Sequence, residues 1–388
     1  MKNLFTFSIV LFLFLTGCAK EKKQLNGEEK QNSNKESAQA DLQDQKYFNL
    51  EGKIDNLPIS MSFMSTEDYN GISTFNGHYY YHSQEIPIFI YLDEKEGNNL
   101  TMVHGGDDNS SERFKGTFEK GVYKGIWTKG TKSLPFELKE TPKANYTEMV
   151  YLTNKKVVPV KLKSGVEVEG ISTYNWYVPQ DLKLQKELVK MVYPTYTDFQ
   201  TYTQDALNEF EQEYKEEIND YVKNLTEEEL KDFSPMTWNH TYNEYFEPLI
   251  NNSNYLVMRQ SGYQYTGGAH GISYQNHLTY DKRKKKWLAL FDILDLDQRE
   301  KITQVLDQVV RKEYNIPQEI DLNKSENSIF IVDKIYLSDD FTLSKKGITF
   351  HYGLYDLTPY VYGYFDILVP YEDLKPYLQK GFTYQAFD

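Results

Sequence analysis

Residues 255–280 read YLVMRQSGYQYTGGAHGISYQNHLTY. Two alternating runs, Tyr255 to Tyr265 and Ile272 to Tyr280, flank Thr266-Gly267-Gly268-Ala269-His270-Gly271. Alternation is the strand period, and the glycines allow the positive φ and close backbone approach of a tight connection. The stretch predicts a β-hairpin. Downstream, Asp281-Lys282-Arg283-Lys284-Lys285-Lys286 makes a second polar turn before Trp287. A helix follows, marked by the capping box Asp297-x-x-Glu300 and by Ile302, Val305, Leu306 and Val309 at helical spacing. The closing strands hold Ile348 to Tyr355 and Tyr364 to Val369.

Upstream of the hairpin, Val157 to Leu162 and Val166 to Tyr177 read as strands. After Pro194 a long helix places Phe199, Leu207, Phe210, Tyr214, Ile218, Tyr221 and Leu225 on one face among many acidic residues. Pro235 is expected to stop that helical segment. The reading for residues 143–388 is an α+β domain, an antiparallel sheet covered by two amphipathic helices.

From residue 46 to 142 the helical period disappears. Ile59 to Phe63, Ile86 to Leu92, Phe114 to Phe118, Val122 to Trp127 and Leu134 to Leu138 alternate. Gly71, Gly77, Gly97-Asn98-Asn99, Gly105-Gly106-Asp107 and Lys120-Gly121 fall between them as turns. About seven or eight short strands predict an all-β meander closing into a small barrel or sandwich. Phe114-Lys-Gly-Thr-Phe118 and Tyr123-Lys-Gly-Ile-Trp127 look alike, and a single hairpin with glycines at paired positions accounts for both.

The N-terminus addresses the compartment. A Lys2 start, an apolar run from Leu4 to Leu15, then Thr16 and Gly17 make residues 1–17 a secretory signal too short to span a bilayer. Leu15-Thr16-Gly17-Cys18 resembles the lipobox of bacterial lipoproteins, in which cleavage precedes an acylated cysteine, and Cys18 is the one cysteine of the chain. The alternative, a short core helix with a buried Cys, fits poorly with the abrupt polarity at Lys20. By that resemblance the mature chain starts at Cys18 and is tied to the membrane by lipid. Ala19, where an Asp would signal inner-membrane retention, points to the outer membrane. Residues 18–45 carry almost no large apolar side chains and read as a flexible tether.

Composition narrows function by exclusion. With 43 Lys plus Arg against 57 Asp plus Glu, the formal net charge is −14, which disfavours nucleic acid as a partner. One cysteine permits neither an intrachain disulfide nor a thiolate zinc cluster. His78 and His82, four apart among strand formers, share a face but lie roughly 13 Å apart, too far to hold a metal as a pair. No nucleotide loop, dinucleotide fingerprint or metal cluster stands out, so no cofactor is expected.

The segment Tyr263-Gln-Tyr265-Thr-Gly267-Gly268-Ala-His270-Gly271 also carries a resemblance, together with Trp287-Leu-x-Leu-x-Asp-Ile-Leu294, Pro359-Tyr360-x-x-Gly363 and Val369-Pro370-Tyr371-x-x-Leu374. In that order these motifs resemble an extracytoplasmic bacterial family, domain of unknown function 3298 with its upstream companion 4163, from about Asn145 to the C-terminus. Relatives include the outer domain of a lysozyme-sensing anti-sigma-V factor and a domain appended to some peptidoglycan deacetylases. The resemblance implies a protein ligand such as a lysozyme-like muramidase, or a cell-wall glycan (peptidoglycan). The basic run Lys282 to Lys286 departs from the family's usual turn. The Thr-Phe-Asp-Asp segment of the deacetylase catalytic domain is absent, Ser73-Thr74-Phe75-Asn76 lacking its aspartates, so that activity does not carry over.

Candidate binding residues are Tyr263, Tyr265, Gly267, Gly268, His270, Tyr360 and Tyr362. The bland reading of His270 is a residue of a fold-defining turn, hydrogen-bonded to nearby backbone. A catalytic His270 lacks a recognisable partner: Ser261 is near in sequence but sits in no nucleophile elbow. Lys282 to Lys286 reads as a solvated hairpin tip. Tyr352, Tyr355, Tyr360, Tyr362, Tyr364 and Tyr371 are divided between core packing and recognition. The expectation is a lipid-anchored, non-catalytic envelope binding protein. A cell-wall hydrolase using His270 and a purely structural component are the alternatives.

Overall fold

The chain was analysed as a computed structural model, which describes residues 47–67, 73–105, 111–226, 229 and 235–382. The signal segment, Cys18, the tether up to residue 45, and turn residues Gly71, Gly106 and Asp107 lie outside the described residues.

Eight antiparallel strands come first: β1 (Tyr47–Ile54), β2 (Leu57–Glu67), β3 (Ser73–Tyr81), β4 (Ile88–Glu96), β5 (Asn99–His104), β6 (Glu112–Glu119), β7 (Val122–Lys129) and β8 (Lys132–Glu140). They follow chain order and close into a barrel when β8 returns to β1, from Leu50 opposite Glu140 to Ile54 opposite Phe136. This decides between barrel and sandwich. Side chains fill the interior, as in other small barrels. Phe48, Phe63, Phe75, Phe114, Phe118, Tyr123 and Phe136 pack ring against ring there. The look-alike units form one hairpin, β6–β7, in which Gly116 faces Gly125. A Cβ on Gly116 would stand 2.3 Å from the Lys124 carbonyl oxygen and 2.9 Å from the Phe136 ring, so the strands approach where only glycine fits.

The second half is α+β. A six-stranded sheet has the order β14-β13-β12-β11-β10-β9, from β9 (Met149–Lys161), β10 (Glu167–Pro179), β11 (Thr241–Asn251), β12 (Tyr255–Tyr265), β13 (Ile272–Asp281) and β14 (Lys286–Leu288). A separate three-stranded sheet holds β15 (Phe341–Leu343), β16 (Gly347–Tyr352) and β17 (Phe365–Pro370). The expected sheet was antiparallel, but β10 and β11 run parallel, Ile171 opposite Thr241 through Trp176 opposite Phe246. The cause is the helical crossover between them, which returns the chain to the start of the sheet.

That crossover contains α1 (Leu182–Val192), α2 (Phe199–Val222) and a short turn of helix, α3 (Pro235–Trp238). The Asp181 carboxylate accepts from the Leu184 backbone N–H at 2.8 Å, and that of Asp198 from Thr201 at 2.7 Å, so each longer helix has an N-cap. Leu188 and Val189 of α1, with Phe199 and Leu207 of α2, pack on Trp176, Phe246, Leu256 and Met258 of the sheet. Tyr214 and Ile218 continue the α2 stripe. Tyr221 is exposed and packs on Trp238, and Leu225 lies past the helix end. The helix stop expected at Pro235 falls on residues just before it that lie outside the described residues. Pro235 itself opens α3, where a missing N–H breaks no intrahelical bond.

The helix α4 (Arg299–Tyr314) lays Ile302 and Leu306 over the three-stranded sheet. The capping box at Asp297 does not form: the α4 N-cap is Gln298, without a side-chain bond. Asp295 instead caps a preceding 3-10 turn by accepting from the Asp297 N–H. A final turn of helix, α5 (Tyr371–Leu374), closes the described fold.

Barrel and sheets form one compact unit. Tyr80 of β3 packs on Leu249, Ile250 and Val257, and Tyr47 and Met64 pack on Tyr177. The Tyr177 hydroxyl donates to the Ser65 carbonyl. No helix among the described residues is long and apolar enough to cross a membrane.

Candidate binding site

The loop between β12 and β13 sits beside the turn between β16 and β17. Gly267 and Gly268 have φ of +94° and +89°, the left-handed region that favours glycine. The Tyr265 hydroxyl donates to the Gly268 carbonyl at 3.1 Å and braces the loop. His270 is exposed. Its Nδ1 lies 2.9 Å from the Gly271 carbonyl oxygen, and its ring stacks on Tyr360 at 4.1 Å between centroids. The Tyr360 hydroxyl donates to the same Gly271 carbonyl at 3.1 Å. The Tyr263 ring covers Gly271, where a Cβ would come within 2.5 Å of it.

The structure thus gathers Tyr263, Tyr265, Gly267, Gly268, His270 and Tyr360 into one surface, and Tyr362 stands exposed on the 3-10 turn that carries Tyr360. Apolar neighbours enlarge it: Val361 is 83% exposed and Ile272 52%, while Tyr355 tilts against Tyr360 at 5.7 Å. Of the tyrosine-rich stretch, Tyr352 and Tyr371 belong to the core, and Tyr355 and Tyr362 face solvent. Among the described residues no carboxylate contacts His270. Its ring is placed to stack and to accept or donate one hydrogen bond, not to pass protons along a relay.

The basic turn differs from the expected solvated tip at its first residue. Lys282 is half-buried, and its Nζ donates to Asn251 Oδ1 at 3.0 Å and to the Asn252 carbonyl at 2.6 Å. Burial pulls its ammonium down to about 7. Lys286 pairs with Asp292 at 2.6 Å, and Arg283 donates to the Tyr255 hydroxyl.

Two further polar clusters were not foreseen from the sequence. On the helix-covered face of the six-stranded sheet, Glu244 lies opposite Gly262, which lies opposite Tyr274. Without a side chain at Gly262, the Tyr274 ring crosses β12 and its hydroxyl reaches Glu244 at 2.9 Å. Tyr242 donates to the same carboxylate at 2.9 Å, and Tyr193 adds a third hydroxyl. Burial pushes the Glu244 carboxyl up, and these donors oppose the rise.

The other cluster lines a cavity of about 160 Å³ where barrel, large sheet and small sheet meet. Three of the seven histidines are there: His78 from β3, His277 from β13 and His351 from β16. His277 Nδ1 donates to Asp340 at 3.0 Å and His351 Nδ1 to Asp366 at 2.8 Å, and the two rings stack at 3.8 Å. Among the described residues no group of three or more His, Cys, Asp or Glu is arranged to hold a metal ion. His82, past the end of β3, instead hydrogen-bonds through Nε2 to Ser60 Oγ at 2.9 Å.

Comparison with known families identifies the second half of the chain. Residues 291–372 match the model described as "Protein of unknown function (DUF3298)", and residues 183–273 match that described as "Deacetylase PdaC". The His270–Tyr360 stack joins the two matched segments, His270 lying in the one that resembles the PdaC model and Tyr360 in the one that resembles the DUF3298 model. Similar solved structures are a DUF3298 family member from Bacteroides fragilis NCTC 9343 (21% identity, TM-score 0.48) and one from Pseudomonas aeruginosa PAO1 (16%, 0.42). The first match covers 63% of this chain and 97% of its counterpart, the second 60% and 94%. No curated protein sequence matches the chain.

Proposed function

We propose that this protein is a lipid-anchored component of the bacterial cell envelope, delivered to the outer membrane, that binds a partner through the His270–Tyr360 surface and catalyses nothing itself. The observation that carries this reading is the exposed cluster of Tyr263, His270, Ile272, Tyr355, Val361 and Tyr362, braced by the Tyr265 and Tyr360 hydroxyls donating to the Gly268 and Gly271 carbonyls. Tyrosine is enriched at binding hot spots because its ring buries apolar area while its hydroxyl keeps a hydrogen bond. Exposed Ile272 and Val361 beside the rings favour a protein surface over a glycan. The charge of −14 favours a basic protein, and a lysozyme-like muramidase satisfies both features.

Calorimetry tests this with lysozyme as the probe and cytochrome c as an equally basic competitor. Attraction between exposed charges fades beyond about 8 Å at physiological ionic strength, whereas an apolar contact persists. Binding that survives physiological salt and resists the competitor supports the reading. Binding that vanishes with salt, or that cytochrome c matches, overturns the muramidase assignment, and retention on purified peptidoglycan then marks a glycan ligand.

A further inference from the structure

We propose that the histidine-lined cavity is an acid-sensitive latch, in which protonation of His78 and His277 loosens the barrel from the two C-terminal sheets. The three rings come from separate layers of the molecule: β3 of the barrel, β13 of the six-stranded sheet and β16 of the three-stranded sheet. Closing the seam brings them together, and opening it returns them to water.

The hydrogen bonds assign the protons. A carboxylate only accepts, so Asp340 and Asp366 hold the Nδ1 protons of His277 and His351. His351 Nε2 lies 2.9 Å from the Thr342 hydroxyl, which donates to it in the neutral ring. A second proton on His277 sets a cation face to face with the His351 ring at 3.8 Å. Arg259 adds a positive group that opposes charging of His277. Its guanidinium is held by Glu247, and it lines the same cavity. Glu85 lines the barrel side, and Lys345 approaches there through its N–H bond to the Gln84 carbonyl.

His78 is the least accommodating member. It is 2% exposed, its ring edge meets Phe89, and its Nδ1 is buried without a hydrogen-bond partner. Glu247 favours its charged form, whereas burial, Arg259 and His277 oppose it, and burial dominates to bring it down to about 4. Burial likewise lowers His277, and Asp340 opposes the change. A histidine lowered in the closed form stabilises that form fully above its ordinary value. The contribution is lost as pH falls from there toward the lowered value. Taking the ordinary value of about 6.5 for the open form, His78 alone raises the ratio of open to closed molecules about 25-fold between pH 7.5 and pH 5.

Small-angle scattering from the full chain in detergent, between pH 7.5 and 4.5, tests the latch. The wild type should expand reversibly as pH falls, with its far-UV circular dichroism unchanged because barrel and sheets stay folded. His78→Phe keeps a ring against Phe89 but takes no proton, so its ratio of open to closed molecules at pH 5 should fall about 25-fold below wild type. Wild-type dimensions constant down to pH 4.5 overturn the proposal whether or not the variant folds. Expansion of His78→Phe at the wild-type pH overturns the role of His78.

Discussion

Replacing Gly268 by Val isolates the cost of backbone conformation at the candidate site. Gly268 has φ +89°, and a Cβ built there meets nothing within 4 Å, so the substitution creates strain without a clash. Left-handed backbone costs an L-residue roughly 1–2 kcal/mol, and β-branching puts valine at the upper end. Restriction of the unfolded chain offsets about 0.4–1 kcal/mol, leaving a loss of about 1–1.5 kcal/mol. Gly267→Val adds a true clash, because its Cβ would stand 2.6 Å from the Thr237 carbonyl oxygen, and should cost about 3 kcal/mol. His270→Ala removes one exposed ring contact and one hydrogen bond to the adjacent Gly271 carbonyl that water replaces, together worth about 0.5–1 kcal/mol. Urea denaturation of the three variants should therefore rank Gly267→Val above Gly268→Val above His270→Ala. Equal losses for Gly268→Val and His270→Ala would refute the view that His270 is dispensable to the fold.

Other consequences are as direct. Arg259→Ala leaves the Glu247 carboxylate without its guanidinium in a mostly buried setting and should cost about 3 kcal/mol by urea denaturation; a loss below 1 kcal/mol would contradict the pairing. Burial raises the Glu244 carboxyl, so the native protein keeps a proton that the unfolded chain has already released. That contribution is present at low pH and is lost as pH rises from the unfolded value through the folded one. Glu244→Gln should flatten this part of the stability profile, and an unchanged profile would refute the assignment. Cys18→Ser should release the protein from the membrane fraction while thermal melts of the folded unit stay the same; a cleaved variant that remains in the pellet would require another anchor.

What was legible in the sequence followed local chemistry. The barrel strands show because alternation and turn glycines repeat every few residues, and the pairing of Gly116 with Gly125 follows from two matching units on one hairpin. The β12–β13 loop shows because positive φ selects glycine at Gly267 and Gly268. The contact of that loop with Tyr360 rests on family motifs, not periodicity, since the residues are far apart in sequence. The parallel pairing of β10 with β11 was hidden: the long helix between them is legible, but strand period is the same in either direction and Thr241–Asn251 does not stand out as an alternating run. The Asp297 box misled because its spacing fits a cap, yet the chain enters α4 through a 3-10 turn. His78, His277 and His351 share no spacing, each being one polar residue in its own strand, so only tertiary packing unites them. Glu244 was equally silent, because the glycine that admits Tyr274 belongs to the neighbouring strand.

On the proposed reading, the partner docks on the surface where the segment resembling the PdaC model meets the one resembling the DUF3298 model. Val361→Asp puts a charge at the most exposed apolar position of that surface, and Leu57→Asp does the same on the barrel, at an apolar residue 51% exposed. Calorimetric titration of lysozyme into each variant at physiological salt compares the two sites directly. A desolvated hot-spot position is worth 2 kcal/mol or more, so Val361→Asp should weaken binding by about 30-fold or more while Leu57→Asp leaves it unchanged. Undiminished binding by Val361→Asp, or a loss confined to Leu57→Asp, would contradict the account.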